Sequence, residues 1–282
     1  MKVLITDGVD RQCAELLEQF GFEVTQKPNI SKDELKEIIS SYNKLIVRSA
    51  TKVTAEIIER GKNLTLIGRA GAGVDNIDIT AATRHGVIVM NTPGGNTVSA
   101  AEHACGMILA AARMIPQATA ELKNGIWNKK KFTGIELEGK TLSIIGLGKI
   151  GREVASRMQA FGMKTIAYDP MIPDEYAAHL NIELLPLHEN FSRADIITIH
   201  SSLNESTRNL ISDETFPLMK NGIIIVNCAR GGIVNEADLA DAIGTGKVAA
   251  AALDVFETEP VDPTNLCQRS EERRVGKECR SR

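Results

Sequence analysis

Leu142-Ser143-Ile144-Ile145-Gly146-Leu147-Gly148-Lys149-Ile150-Gly151-Arg152 joins an apolar run of strand length to a helical pattern through a Gly-x-Gly-x-x-Gly turn. Each glycine has its own physical task. Gly146 permits the tight turn, Gly148 lets a pyrophosphate approach the backbone, and Gly151 lets the helix pack closely on the strand. The first N–H groups of a helix have no partner within it, and its dipole puts partial positive charge at the same end, so the turn suits an anionic ligand. Such spacing also occurs in plain turns. Here the next strand-like run, residues 165–168, is followed by Asp169, 18 residues beyond Gly151. That is close to where dinucleotide-binding sheets place a ribose-binding carboxylate.

Apolar runs continue outward from this turn at residues 196–199, 223–227 and 249–254, separated by helical spacing. Runs apolar nearly throughout fit parallel strands covered on both faces, and the expected fold is α/β, a Rossmann-type doubly wound parallel sheet. Upstream, residues 3–6, 23–26, 45–47, 64–67 and 87–90 read as strands. Residues 12–20, 32–39, 55–60 and 77–84 read as the helices between them, giving a smaller, flavodoxin-like α/β domain. Asn91-Thr92-Pro93-Gly94-Gly95-Asn96 is a dense turn signal, so domains are expected at residues 1–93 and 94–265. Thr97 or Ser99 can cap one long helix over residues 98–122. Residues 266–282 break the pattern. From residue 269 on there are six basic residues, three acidic ones and a single aliphatic, Val275. An aberrant basic tail without fixed structure, at a non-native or truncated end, is expected there.

The 282 residues suit about two domains, and 43% hydrophobic with 24% charged residues is ordinary for a globular protein. A net charge of −3 leaves no basic surplus for nucleic acid or an acidic membrane. Cys13, Cys105, Cys228, Cys267 and Cys279 are odd in number and show neither CxxC pairing nor metal-ligand spacing, so reduced thiols and no metal are expected. Met1 leads directly into a strand pattern, with no signal-peptide pattern ahead of it. The most apolar stretch, residues 104–115, is interrupted by Arg113 and too short to span a bilayer. A soluble, cytoplasmic protein follows as the expectation.

Asp169 also discriminates between cofactors. Its carboxylate can accept hydrogen bonds from ribose hydroxyls but repels a 2′-phosphate, and Pro170-Met171-Ile172-Pro173 supplies no arginine for one. NAD is therefore expected over NADP, a solvated aspartate at a strand end being the plain alternative. Cys228-Ala229-Arg230-Gly231-Gly232-Ile233-Val234 follows a strand whose C-terminal end should meet the ligand crevice. A guanidinium there can grip a carboxylate and polarise an adjacent carbonyl, or equally serve a structural ion pair.

Taken with residues 252–260, these motifs resemble the D-2-hydroxyacid dehydrogenase family. Arg48-Ser49-Ala50-Thr51-Lys52-Val53-Thr54, Gly68-Arg69-Ala70-Gly71-Ala72-Gly73-Val74-Asp75-Asn76 and the 91–96 turn resemble its phosphoglycerate-oxidising branch. The resemblance runs from residue 1 to about residue 260. It implies oxidation of 3-phosphoglycerate to 3-phosphohydroxypyruvate with NAD, the first step of serine biosynthesis. It further implies that Arg230 holds and polarises the carboxylate–carbonyl end of the substrate, while Glu259 orients a catalytic histidine and raises its pKa. Ala72, Gly146, Gly148, Lys149, Ile150, Gly151, Asp169, Ser201, Cys228, Ala229, Arg230 and Asp254 fall at cofactor-contact positions. Gly71 and Gly73 flank a backbone cradle for the substrate carboxylate. Arg48, Lys52 and Arg69 are candidates for the phosphate, and each could instead be a solvated surface cation. The helix near residues 98–122 resembles a dimer-forming region.

One part of the pattern is missing. The family carries its histidine in a Pro-His-x-Gly segment some 18–25 residues after the acid, whereas no histidine follows Glu259 here. His85, His103, His179, His188 and His200 all precede Arg230 and read as structural or surface residues. The expectation is a polypeptide truncated at its C-terminus, without the return segment of the smaller domain, and impaired or inactive. Two other readings stay open. One is a glyoxylate or hydroxypyruvate reductase. The other is an NAD-sensing corepressor-like binding protein of the same fold, against which the lack of an evident peptide-docking insertion argues.

Overall fold

The chain divides by its internal contacts into Met1–Asn96 and Thr97–Arg282, three residues later than the turn signal placed the boundary. The computed structural model describes residues 1–261 and 274–275. In the first unit β1 (Lys2–Ile5), β2 (Glu23–Gln26), β3 (Lys44–Val47), β4 (Leu66–Arg69) and β5 (Ile88–Asn91) alternate with α1 (Arg11–Gln19), α2 (Lys32–Ile38), α3 (Ala55–Arg60) and α4 (Ile79–Arg84). Side-chain caps start three of these helices: Asp10, Ser31 and Asp78 accept from the backbone of Gln12, Glu34 and Ala81. All strand pairs are parallel, in the order β2-β1-β3-β4-β5. That is the flavodoxin-like order of a doubly wound sheet. Leu4, Leu45, Val47 and Ile67 bury on one face with Leu35, Ile57 and Ile58. Val3 and Ile5 bury on the other with Ala14. The fourth strand starts two residues later than its apolar run, because Leu64 closes a turn onto the Gly61 carbonyl.

The second unit opens with α5 (Thr97–Arg113) and α6 (Ile115–Lys123). Then follow β6 (Thr141–Ile145), α7 (Lys149–Ala160), β7 (Lys164–Tyr168), α8 (Asp174–Ala178), β8 (Glu183–Leu184), α9 (Leu187–Arg193) and β9 (Ile196–Ile199). The series closes with β10 (Ile223–Asn227), α10 (Glu236–Gly244), β11 (Val248–Leu253) and β12 (Arg274–Val275). The sheet is parallel throughout, ordered β12-β11-β10-β9-β6-β7-β8. From β6 the chain builds outward through β7 and β8, then crosses to β9 on the other side and builds the opposite way. This is the Rossmann arrangement, and the reversal between β6 and β9 opens a crevice at the C-terminal ends of those two strands. Leu142 and Ile144 bury on one face with Ala104, Ile108, Val154 and Met158, and Ile145 buries on the other with Ile197, Ile225 and Leu239.

Residues 98–122 are not one helix. Met114 adopts a left-handed conformation, φ 55° and ψ 34°, and the two helices meet at 66°. Pro116 explains the break: it has no N–H to give the Ala112 carbonyl, and its ring would crowd that oxygen. The Ile135 N–H takes the vacated acceptor at 2.9 Å. The tail expected at residues 266–282 lies outside the described residues, apart from β12, which pairs Arg274 with Ala251 and Val275 with Ala252.

Candidate functional site

The glycine turn sits at the crevice. Gly146 has φ +95°, and a Cβ on it would come within 2.9 Å of the backbone of His200 and Ser201, so only glycine lets β6 and β9 end this close. A Cβ on Gly151 would lie 2.2 Å from the Gly146 carbonyl oxygen, which ties helix packing to the same turn. Gly148 is different: a Cβ there would meet nothing within 4 Å, so its approach from the crevice side is open. It is the N-cap of α7, and no side chain caps the first turn, which leaves the N–H groups around Lys149 and Ile150 to an anion. Asp169, at the end of β7, accepts from Leu147 N through Oδ2 at 2.8 Å and from Met171 N through Oδ1 at 2.9 Å. Its carboxylate is thus fixed beside the turn. On the other side of the reversal, the Ser201 hydroxyl is buried with no hydrogen-bond partner. A backbone cradle, an anchored carboxylate and an unsatisfied hydroxyl along one edge fit a dinucleotide.

The strands beyond β9 end in the remaining candidates. Asn227 clamps the loop after β10: its Oδ1 accepts from Ala229 N at 3.0 Å and its Nδ2 donates to the Arg230 carbonyl at 2.9 Å. Arg230 folds back so that Nη1 donates to the Ala229 carbonyl at 2.7 Å. At Gly231 a Cβ would lie 1.9 Å from the Phe256 carbonyl oxygen, so the Arg230 loop runs against the segment that leads to Glu259. Glu259 is exposed, and Oε1 accepts from Phe256 N at 3.2 Å. Burial, and next the charge of Asp254, push the Cys228 thiol up to about 12, which keeps it neutral. Burial likewise pushes the His200 imidazole down to about 4, with Nε2 2.9 Å from the Thr198 hydroxyl.

The first unit gathers its candidates at the ends of β1, β3 and β4. Arg69 reaches over Gly71 so closely that a Cβ there would lie 2.4 Å from Nη1. Asn91 Nδ2 donates to the Ala72 carbonyl at 2.6 Å, and Thr92 N donates to the Gly71 carbonyl at 3.1 Å. With those carbonyls engaged, the N–H groups of Ala72 and Gly73 have no partner among the described residues. Arg48 is exposed and donates through Nη1 to the Gly8 carbonyl at 3.0 Å. Lys52 is exposed and forms no ion pair among the described residues. Arg48, Arg69, Gly71, Ala72 and Gly73 therefore share one framework of strand ends.

That framework also depends on Asp7 and Asn76, to which the sequence reading gave no role. Asp7, buried at the end of β1, accepts from Arg48 N at 2.5 Å and from the Thr51 hydroxyl at 2.6 Å. Asn76 donates to the carbonyls of Arg48 and Thr51, each at 2.6 Å, and accepts from Arg69 Nε at 3.2 Å. An acid directly after the first strand was the available signal for Asp7. Asn76 closes the 68–76 motif, but the two carbonyls it donates to lie 25 and 28 residues away, so nothing local marks that role. His103, read as structural or surface, lies against Asp254 at 3.4 Å.

The sequence signature described as "D-isomer specific 2-hydroxyacid dehydrogenase, NAD binding domain" matches residues 105–272. A D-3-phosphoglycerate dehydrogenase from Sus scrofa is 56% identical over 259 residues, which are 92% of this chain and 49% of that protein. The chain thus spans about half the length of the curated relatives it matches. Among solved structures, the TT0316 protein from Thermus thermophilus superposes with a TM-score of 0.89 at 31% identity, covering 98% of this chain and 88% of that one. A glyoxylate reductase from Paecilomyes thermophila superposes with a TM-score of 0.88 at 29% identity, covering 98% and 87%.

Proposed function

Because the chain belongs to the D-isomer-specific 2-hydroxyacid dehydrogenase family and carries its NAD-binding domain, we propose that it serves an enzyme oxidising 3-phosphoglycerate with NAD to 3-phosphohydroxypyruvate. Asp169 stands on the β7 side of the reversal and so takes the adenosine ribose, with the pyrophosphate on the turn from Gly146 to Gly151. Ser201, Cys228, Ala229 and Asp254, at the ends of β9, β10 and β11, would hold the nicotinamide half. Bound NAD supplies the hydride acceptor. Arg230 grips the substrate carboxylate and stabilises the carbonyl oxygen as it forms. Glu259 is suited to orient an imidazole and hold it more basic. His200 cannot stand in as proton carrier near neutral pH, since burial holds it at about 4.

The observation that carries the substrate assignment is the Arg69 guanidinium lying over Gly71, beside the free N–H groups of Ala72 and Gly73. Those N–H groups take a carboxylate. Arg69, Arg48 and Lys52 supply charge for a second anionic group, which the phosphorylated substrate has and glyoxylate lacks. In a version carrying the family's histidine segment, substituting these cations should raise KM for 3-phosphoglycerate by about tenfold per lost contact. KM for D-glycerate should change little. Equal effects on both substrates would remove the three from the phosphate site and favour the reductase reading that the glyoxylate reductase likeness keeps in play. The exposed Ile115, Leu122, Ile126 and Trp127, on and just after α6, are assigned to contact with a second copy of the chain.

A further inference from the structure

His103, on α5, and Asp254, after β11, face each other within the second unit. His103 Nε2 lies 3.4 Å from Asp254 Oδ1, but the pair is out of line for a hydrogen bond. Both atoms are shut off from solvent without a partner. Asp254 Oδ2 is placed otherwise. The side chain keeps 24% of its surface exposed, and Oδ2 is not among the buried unsatisfied atoms. The carboxylate is therefore turned with one oxygen inward, on the imidazole, and one outward at the C-terminal edge of the sheet. The thiol beside it does not compete: burial, and next the charge of Asp254 itself, push Cys228 up to about 12, so it stays uncharged.

A carboxylate oxygen taken out of water needs a donor, and an imidazole nitrogen 3.4 Å away is placed to become one. Resting on the reading that residues at the ends of β9, β10 and β11 hold the nicotinamide half, we propose that His103 is a positioning residue that holds Asp254 as an outward-facing carboxylate and so sets the preference of the site for the oxidised over the reduced cofactor. The nicotinamide ring carries a positive charge in NAD+ and none in NADH, so a fixed carboxylate near it favours the oxidised form by Coulomb attraction. Without the imidazole, the inward oxygen gains by swinging out to water or taking up a proton. Either change weakens the field at the ring.

The test titrates the 282-residue chain with NAD+ and with NADH by calorimetry, in unmodified form and as His103→Leu, His103→Gln, Asp254→Asn and the His103→Leu/Asp254→Asn double variant. What is read is the ratio of the two affinities, from which any loss of folded protein cancels. His103→Leu and Asp254→Asn should each lower the NAD+ to NADH ratio by about threefold or more, the scale of one weakened charge contact. His103→Gln keeps an N–H donor and should hold the ratio within about twofold. The double variant should go no further than Asp254→Asn, since both changes act through one carboxylate. If Asp254→Asn lowers the ratio but His103→Leu shifts both affinities alike, the role of His103 is overturned and the cofactor reading stands. If Asp254→Asn leaves the ratio unchanged, the cofactor reading at this edge fails and the proposal falls with it.

Discussion

A histidine can sit at a ligand crevice and still be barred from proton transfer by its surroundings. His200 ends β9 with its backbone against Gly146 and its ring buried, which holds the imidazole neutral down to about pH 4. On unfolding it recovers an ordinary value near 6.5. Between these two values the unfolded chain binds more protons, so the fold gains stability as pH rises through the window. The contribution is complete above about 6.5 and is lost as pH falls toward 4. Going from pH 7 to pH 5 should therefore cost the unmodified chain about 2 kcal/mol more than it costs His200→Gln. Urea midpoints for the two proteins at both pH values check this, and an identical pH response would show that the ring is hydrated in the fold. At Gly151 and Gly231 the same local reasoning is purely steric. Their hydrogens face carbonyl oxygens that a Cβ would overlap, so the turn proposed for the pyrophosphate and the loop that carries Arg230 are each held by contacts only glycine permits.

At the scale of elements, α6 buries none of its own residues, yet Ile115 and Leu122 on it, and Ile126 and Trp127 just after it, are more than half exposed. An apolar row left in water on a helix is a mark of an interface. Sedimentation equilibrium should give a dimer, and Leu122→Ser with Trp127→Ala should weaken its association by at least about tenfold, since burying either side chain is worth more than about 1.4 kcal/mol. A monomer at all concentrations would remove the assignment. All strands except β8 and β12 were legible as short runs of strand-forming residues between turns, and parallel order followed from their alternation with helices. The break at Met114 was not, because apolar spacing continues through it and only Pro116 marks it. Glu183–Leu184 is too short for a periodic signal and becomes β8 through its pairing with Ile166 and Ala167. The site was legible where its groups follow one another, as from Gly146 to Gly151 or Cys228 to Arg230. It was hidden where distant segments meet: Asp7 with Thr51, Asn76 with Arg48 and Thr51, and His103 with Asp254.

Across the whole molecule, each unit carries its own candidate groups, the partner-free N–H groups of Ala72 and Gly73 in the first and the glycine turn, Asp169 and Arg230 in the second. The 282 residues contain no histidine after His200, and Glu259 contacts only the backbone of its own turn among the described residues. As it stands, this polypeptide should bind cofactor but turn over 3-phosphoglycerate about 10²–10⁴-fold more slowly than the same chain with residues 266–282 replaced by a relative's Pro-His-x-Gly segment and following helix. The graft with Ala in place of the histidine should restore none of that rate, and robust turnover by the unmodified chain would show that another group carries the proton. The claim on which all of this rests is that the edge of the second sheet is an NAD site chosen by Asp169, and a titration of the unmodified chain with NADH and NADPH tests it without any catalysis. NADH should bind more tightly, and Asp169→Ala should narrow the gap by at least about 1 kcal/mol, the scale of a charge-assisted hydrogen bond; equal affinity of the unmodified chain for both cofactors would contradict the account.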